Sequence, residues 1–314
     1  PLGQGFGAGV GMAIAERWLA ATFNRPGHEI IDHYTYAICS DGDLEEGVAS
    51  ESASLAGHLR LGKLIYLYDK NDISIEGDTG ITFTENVAER FDAYGWHVVG
   101  PIDGMDITQV YSAIRIAKSE ASRPSLIICR TIIGFGAPNK AGTGGVHGEP
   151  LGPDETRLAK RALGWPYEEP FTIPPDALDH FRLAVERGGK SQREWQDRLE
   201  AYRQAHYDDA QRLEQALRGQ LPEGWDEGLD DLFKPGDKPI ATRDASGKAM
   251  NLFGKKIHYF MGGSADLAPS TKTIMSGLGD FDATNYAGRN MHFGVREHGM
   301  GAIVNGMAVH GGTI

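Results

Sequence analysis

Short, continuously apolar runs alternate with amphipathic stretches over the first 130 residues of the chain. Continuously apolar runs are typical of buried parallel strands, and the stretches between them have helical periodicity. The predicted strands are HYTYAIC (33–39), KLIYLYD (63–69), WHVVG (96–100) and PSLIICRTI (124–132). The predicted helices are EEGVASESASLAGHLRL (45–61), TENVAERFDAYG (84–95) and DITQVYSAIRIAKS (106–119). Strands separated by single helices predict an α/β fold: a doubly wound parallel sheet with helices on both faces.

The remainder of the chain changes character several times. Residues 131–153 predict a long Gly-rich loop, which in a compact domain is either functional or disordered. A charged helical stretch follows, then a segment rich in Gly, Pro and Asp, and then a second α/β pattern in KKIHYFMGG, MHFGV and EHGMGAIVNGMAV. We therefore predict an α/β domain with a helical extension over 1–218, a linker over 219–255, and the incomplete start of a second α/β domain over 256–314.

Charge and composition exclude several classes of function. The net charge is −12 without a stripe of Lys or Arg, which argues against nucleic-acid binding. No apolar stretch reaches the roughly 18 residues of a membrane span, and the opening segment lacks the basic start of a signal peptide. Cys39 and Cys129 lie in apolar runs, as buried reduced thiols do. We expect a soluble intracellular protein that binds neither nucleic acid nor membranes.

The opening segment, PLGQGFGAGVGMAIAERWL, alternates glycine with other residues. It is a weak match to a dinucleotide-binding loop, because no strand precedes it. Gly3, Gly7 and Gly11 recur every four residues, so in a helix they would form one face of small residues that allows close packing.

Two polar side chains follow neighbouring predicted strands. Asp41 lies in CSDGDLEEG after the first strand, and Asn71 lies in YDKNDI after the second. A β–α–β unit of this length would bring both to one edge of the sheet, where hard oxygen ligands suit Mg²⁺ or Ca²⁺ shared with a phosphate. Backbone N–H groups near Gly42 would hold the anion. The alternative is a simple turn at SDGD with Asn71 as a cap; the spacing favours the metal site.

Several motifs, in the same order along the chain, resemble those of the transketolases, a family of thiamine diphosphate enzymes. They are EGVASESASLAGHLRLGKLIYLYDKNDISIEGDT, TIIGFGAPNKAGTGGVHGEPLG, IATRDAS, GGSADLAPS and FGVREHGMGAI. The resemblance spans essentially the whole chain. It implies the thiamine diphosphate-binding fold, thiamine diphosphate and Mg²⁺ (or Ca²⁺ or Mn²⁺) as cofactors, and a cytoplasmic enzyme of the pentose phosphate pathway.

The resemblance also implies residue roles in the cofactor site. Asp41, Asn71 and the carbonyl of Ile73 would ligate the metal. Glu297, in REH, would be catalytic, because the matching glutamate holds the aminopyrimidine and promotes loss of the thiazolium C2 proton. Without the resemblance, Glu297 would be interpreted as a charge at a helix N-terminus. The residues implied to contact thiamine diphosphate are Pro1, Leu2, Gly42, Glu46, Asn71, His147, Asp266 and Glu297.

Further roles concern the substrate and the partner subunit. His147, in GGVHGEP, would be both catalytic and substrate-binding. Arg243 and Ser270 would bind the phosphate of a sugar, for which a guanidinium is well suited. Without the resemblance, Arg243 would be interpreted as a surface ion pair with its neighbour. The family builds its sites across a homodimer interface, so Glu46 would lie near Glu297 of the partner subunit.

The implied reaction transfers a two-carbon ketol group from a ketose phosphate, such as xylulose 5-phosphate, to an aldose phosphate, such as ribose 5-phosphate. We expect the chain to be an internal segment of such an enzyme and inactive alone, since other substrate-binding residues and the aromatic clamp on the pyrimidine would lie outside it. Two alternatives stay open: a dihydroxyacetone synthase-like ketol transfer and a non-catalytic scaffold or dimerisation segment. Deoxyxylulose-phosphate synthase is disfavoured, because SLAGHLRLGKLIYLYD and GVHGEPLG follow the transketolases.

Overall fold

The structure, a computed structural model, describes residues 2–314; the cofactor contact predicted at Pro1 lies outside them. The strands are β1 (Thr35–Ser40), β2 (Leu64–Lys70), β3 (Ile73–Ser74), β4 (Gly77–Asp78), β5 (His97–Asp103), β6 (Ser125–Arg130), β7 (Gly262–Ser264) and β8 (Asn290–His292). The helices are α1 (Gln4–Phe23), α2 (Asp41–Glu45), α3 (Gly47–His58), α4 (Val87–Ala93), α5 (Ile107–Ser119), α6 (Pro153–Ala162), α7 (Pro175–Ala205), α8 (Tyr207–Leu217), α9 (Thr242–Lys256), α10 (Ala268–Thr271) and α11 (Glu297–His310). No helix among these residues is both long and apolar enough to cross a membrane.

The main sheet consists of four parallel strands in the order β1–β2–β6–β5. All four were predicted from the apolar runs, and the helices between them supply the crossover connections that parallel strands require. One face packs against α1 and α3 around Trp18, Tyr66 and Trp96. The other face packs against α5 through residues such as Ile65 and Ala113. The predicted sheet with helices on both faces is confirmed.

The opening glycines allow α1 and α11 to touch along their backbones. A Cβ atom added at Gly11 would lie 2.0 Å from the Ile303 carbonyl oxygen, and one added at Gly7 would lie 2.5 Å from the Cβ of Ala302. The predicted small face is therefore confirmed at Gly7 and Gly11. It is wrong at Gly3, which precedes the helix as its N-cap with φ +79°, in the left-handed region that favours glycine.

Two predicted segments differ from the structure. The linker predicted over 219–255 is helical from Thr242, because α9 packs its Gly247 closely against the residue that follows α10. The strand predicted in KKIHYFMGG forms only at its end, in β7. Its apolar residues Ile257 and Tyr259 lie in the turn after α9, and their side chains are buried in the main core. Their apolar character is therefore explained by burial, although they are not part of a strand.

Candidate functional site

The carboxyl ends of β1 and β2 bring the two predicted metal-site motifs together. The strands are parallel, with Ser40 beside Asp69, so Asp41 and the residues after Lys70 leave the sheet at the same edge. The backbone N–H of Asp72 donates to Oδ2 of Asp41 at 3.1 Å and ties the two segments directly. The predicted juxtaposition is present, while the role of these residues as metal ligands stays a prediction.

Asp41 is a buried carboxylate without a basic partner. It is 2% exposed, and its Oδ1 accepts a hydrogen bond from the Tyr68 hydroxyl. Burial raises the pKa of Asp41 against the opposing effect of these hydrogen bonds, and burial together with Asp41 raises the pKa of Tyr68. Among residues 2–314 no Lys or Arg forms an ion pair with Asp41; the neighbouring Lys70 pairs with Asp72 instead. A carboxylate that is buried and forms no ion pair with Lys or Arg fits a site where a bound cation balances its charge.

The rest of the predicted ligand set is an amide and a backbone carbonyl. Asn71 lies beside Asp72, and its Oδ1 accepts a hydrogen bond from the N–H of Ile73 at 3.0 Å. Within the described residues no cluster of three His, Cys, Asp or Glu side chains could hold a metal. A set with one carboxylate nevertheless fits Mg²⁺, because this ion completes its shell with water and the phosphate oxygens of a ligand.

Asp43 fastens the opening segment of the chain to this edge of the sheet. Its Oδ1 accepts a hydrogen bond from the N–H of Gly3 at 2.9 Å, and its Oδ2 accepts one from the N–H of Ser40 at 2.9 Å. Leu2 consequently lies over Gly42, where an added Cβ would be 3.1 Å from its Cδ1. Asp43 was not among the predicted site residues, although an acidic residue three positions after a serine is a sequence signal for a capping box.

The loop that carries His147 packs beside the same edge. His147 is exposed and follows a 3₁₀ turn that begins at Gly144. A Cβ added at Gly144 would lie 3.2 Å from the carbonyl oxygens of both Ser74 and Ile75. Because β3 begins at Ile73, this contact places the loop against the hairpin that carries the predicted carbonyl ligand.

The predicted catalytic Glu297 is the exposed first residue of α11. The N–H of Gly299 donates to Oε2 of Glu51 on α3 at 2.6 Å, so a carboxylate from another element caps this helix end. Glu46 is also exposed, and no hydrogen bond or ion pair joins it to Glu297 within residues 2–314. The contact predicted between Glu46 and Glu297 of the partner subunit stays a prediction.

The predicted phosphate-binding residues lie on two helices that pack together, α9 and the four-residue α10. Arg243 is exposed in the first turn of α9, and Ser270 is exposed on α10. Among the described residues Arg243 forms no ion pair with its neighbour Asp244, which was the alternative interpretation. Asp266 is exposed after β7 with φ +62°, a left-handed conformation that is uncommon outside glycine. No hydrogen bond within residues 2–314 joins these residues to Asp41.

Replacing Tyr68 by phenylalanine is expected to weaken divalent-metal binding about 10–100-fold, because Asp41 loses the hydroxyl that orients its carboxylate. The affinity of the complete polypeptide for Mn²⁺, followed by electron paramagnetic resonance, measures this effect. Tyr66→Phe is the matched control: this tyrosine is buried in the same strand, but its hydroxyl donates to the Phe6 carbonyl. Equal metal affinities in the two variants would contradict the positioning role of Tyr68.

The sequence did not indicate this role of Tyr68, because a tyrosine in a strand is ordinarily interpreted as a core residue.

Known proteins match this chain over essentially its whole length. The transketolase thiamine diphosphate binding domain matches residues 1–222, and the transketolase pyrimidine binding domain matches residues 238–314. Transketolases of Geobacillus stearothermophilus and Bacillus subtilis are 54% and 51% identical over 99% of this chain and 47% of their own. The transketolase structure from Leishmania mexicana superposes with a TM-score of 0.95 at 42% identity, over 100% of this chain and 47% of that one.

The chain thus spans about half the length of the curated relatives it matches. Both matched domains agree with the two α/β patterns, and the solved relative shares the fold over the whole chain. On these grounds the chain belongs to the transketolase family.

Proposed function

We propose that the complete polypeptide carrying this chain is a transketolase, which transfers a two-carbon ketol group from a ketose phosphate to an aldose phosphate. The observation that carries the proposal is the buried Asp41 carboxylate at the carboxyl ends of two parallel strands, which is bonded to Asp72 and has no basic partner within residues 2–314. A site at this place in an α/β sheet suits a phosphate-bearing ligand with its metal.

The proposed cofactors are thiamine diphosphate and Mg²⁺. Asp41, Asn71 and the carbonyl of Ile73 would hold the metal, with Gly42 and the overlying Leu2 beside the diphosphate. When bound, thiamine diphosphate supplies the nucleophilic carbon and the electron sink for cleavage of a carbon–carbon bond. Asp43 contributes by holding the opening segment in place, and the β3–β4 hairpin contributes by supporting the loop of His147.

Glu297 is the proposed proton-handling group. Its carboxyl would hold a proton at the ring nitrogen of the aminopyrimidine. This role requires an acid that is held in a fixed orientation within hydrogen-bond distance of that nitrogen. The Glu51 carboxylate bound to the N–H of Gly299 fixes the first turn of α11 and so supports that orientation.

Sugar phosphates are the proposed substrates. Solved complexes of Pichia stipitis transketolase contain xylulose 5-phosphate, fructose 6-phosphate or sedoheptulose 7-phosphate. The exposed Arg243 and Ser270, on helices that pack together, would bind the phosphate, while His147 would contact the reacting end of the sugar. We further propose a cytoplasmic homodimer in which the exposed Glu46 meets Glu297 of the partner subunit.

An assay of the complete polypeptide tests the proposed activity. With thiamine diphosphate, Mg²⁺, xylulose 5-phosphate and ribose 5-phosphate, we expect a seven-carbon ketose phosphate and a three-carbon aldose phosphate, because two carbons move between five-carbon sugars. Formaldehyde as the acceptor tests the dihydroxyacetone synthase alternative, and we expect slower turnover with it. Cofactor binding without turnover of either acceptor would contradict the proposal and support the non-catalytic alternative.

A further inference from the structure

A crevice of about 850 Å³ opens between the C-terminal end of α3 and the residues that follow β8. None of its lining residues within the described chain is acidic, although the protein carries 43 acidic against 31 basic residues. The polar side chains that line it are Arg60, Arg123, Arg296, His58, His292, Ser54, Ser122 and Tyr94. A lining without carboxylates in a strongly acidic protein creates a local positive potential that attracts anions.

Arg296 presents a fixed guanidinium to this crevice. Its Nη1 donates to the carbonyl of Phe293 at 2.8 Å, and its Nη2 donates to Oγ of Ser54 at 3.1 Å. No carboxylate within residues 2–314 forms an ion pair with it. The guanidinium therefore has further N–H donors that are held in a defined orientation.

Arg60 follows the C-terminal end of α3, at a position where glycine is usually found. The N–H of Arg60 donates to the carbonyl of Gly57 at 3.1 Å, and the N–H of Leu61 donates to that of Ala56 at 3.3 Å, the two bonds that end a helix in a left-handed residue. Arg60 is that residue, with φ +54°. Its exposed side chain forms no ion pair in the described chain. A side chain kept in a disfavoured backbone conformation points to a function for that side chain.

Two other basic side chains of the lining, Arg123 and His292, already have acidic partners. Arg123 pairs with Glu120 at 3.1 Å, and His292 pairs with Asp280 at 3.0 Å. Their partners lie outside the lining, so the arginines of the lining that form no ion pair within residues 2–314 are Arg60 and Arg296.

We propose that this crevice binds a small polyanion with at least two phosphate or carboxylate groups. The fork of a guanidinium matches both groups, and the volume lies within the range of small-molecule sites. Tyr94, which is half-buried in the same lining, offers an aromatic surface to the organic part of such a ligand. None of the residues proposed to bind cofactor, metal or sugar lines the crevice, so this site does not depend on the proposed transketolase activity.

Calorimetric titration of the complete polypeptide, free of metal and at low ionic strength, tests the proposal. The probes are inorganic tripolyphosphate and citrate, which distinguish a phosphate ligand from a carboxylate ligand. We expect saturable binding of at least one probe, weakened tenfold or more by Arg60→Asn. Asparagine accepts the left-handed backbone, so we expect the melting temperature of this variant to be unchanged or raised. Arg60→Lys retains the charge and is expected to bind with intermediate affinity.

The matched control is Arg115→Gln, which removes an exposed arginine of α5 outside the crevice and should leave binding within twofold of the unsubstituted protein. The proposal would be overturned if neither tripolyphosphate nor citrate showed saturable binding. An unchanged affinity in Arg60→Asn would also overturn it, since the anion would then occupy another part of the protein.

Discussion

Replacing Gly11 by alanine is expected to destabilise the protein by about 3 kcal/mol or more. The added Cβ would lie 2.0 Å from the Ile303 carbonyl oxygen and 2.8 Å from the Met307 backbone nitrogen. Both are backbone atoms of α11, so no side-chain rotation relieves the overlap and the two helices must separate. Because domains are stable by only about 5–15 kcal/mol, we expect a large loss of soluble, folded protein.

The midpoint of urea unfolding, followed by far-UV circular dichroism, measures this loss. Gly5→Ala is the matched control in the same helix, since a Cβ at Gly5 meets nothing within 4 Å. We expect this control to be neutral or to stabilise by up to about 1 kcal/mol, from the higher helix propensity of alanine. On α11 the corresponding pair is Gly306→Ala, which would meet the Ala8 carbonyl oxygen at 2.0 Å, and Gly301→Ala, which meets nothing. Equal effects within each pair would show that helix propensity, and not close packing, controls stability here.

Replacing Glu297 by glutamine is expected to lower kcat for ketol transfer by about 10²–10⁴-fold, the usual contribution of a positioned acid or base. Glutamine has nearly the same shape but carries no titratable proton. Within residues 2–314 the side chain is exposed at the start of α11, so the substitution should not disturb the packing of this chain.

Steady-state kinetics with xylulose 5-phosphate and ribose 5-phosphate measure the effect, and calorimetry measures the affinity for thiamine diphosphate. Glu186→Gln, which removes an exposed carboxylate on α7, is the control and should retain full activity. A Glu297→Gln enzyme with kcat within threefold of the unsubstituted protein would remove Glu297 from the catalytic machinery. A loss confined to cofactor affinity would assign it a binding role alone.

Much of the fold was predictable from local sequence. The runs that became β2 and β6 are apolar along nearly their whole length, because central parallel strands are buried on both faces. The same reasoning failed at Ile257 and Tyr259, whose apolar character comes from burial in a turn. It also failed at α9, a helix with Gly247 and Gly254 in its sequence, because glycine lowers helix propensity while permitting the close contacts that stabilise this helix.

The candidate site divides in a similar way. The spacing of Asp41 and Asn71 after successive strands predicted that they would share one edge of the sheet, since parallel strands end at the same edge. The hydroxyl of Tyr68 on Asp41 and the carboxylate of Asp43 on Gly3 join residues far apart in the chain. No periodic pattern in the sequence predicts such contacts, because they depend on which side chains face each other after the strands have paired.

The sequence by itself determined the order of the elements, the parallel sheet and the position of the motifs predicted to bind a metal, because burial and strand spacing impose a periodic pattern on the sequence. Only the tertiary structure decided how closely α1 approaches α11, which donors hold Asp41, and that Arg60 and Arg296 line one crevice whose described lining contains no carboxylate. These properties arise from distances between side chains and backbones of separate elements, and such distances exist only once the chain has packed.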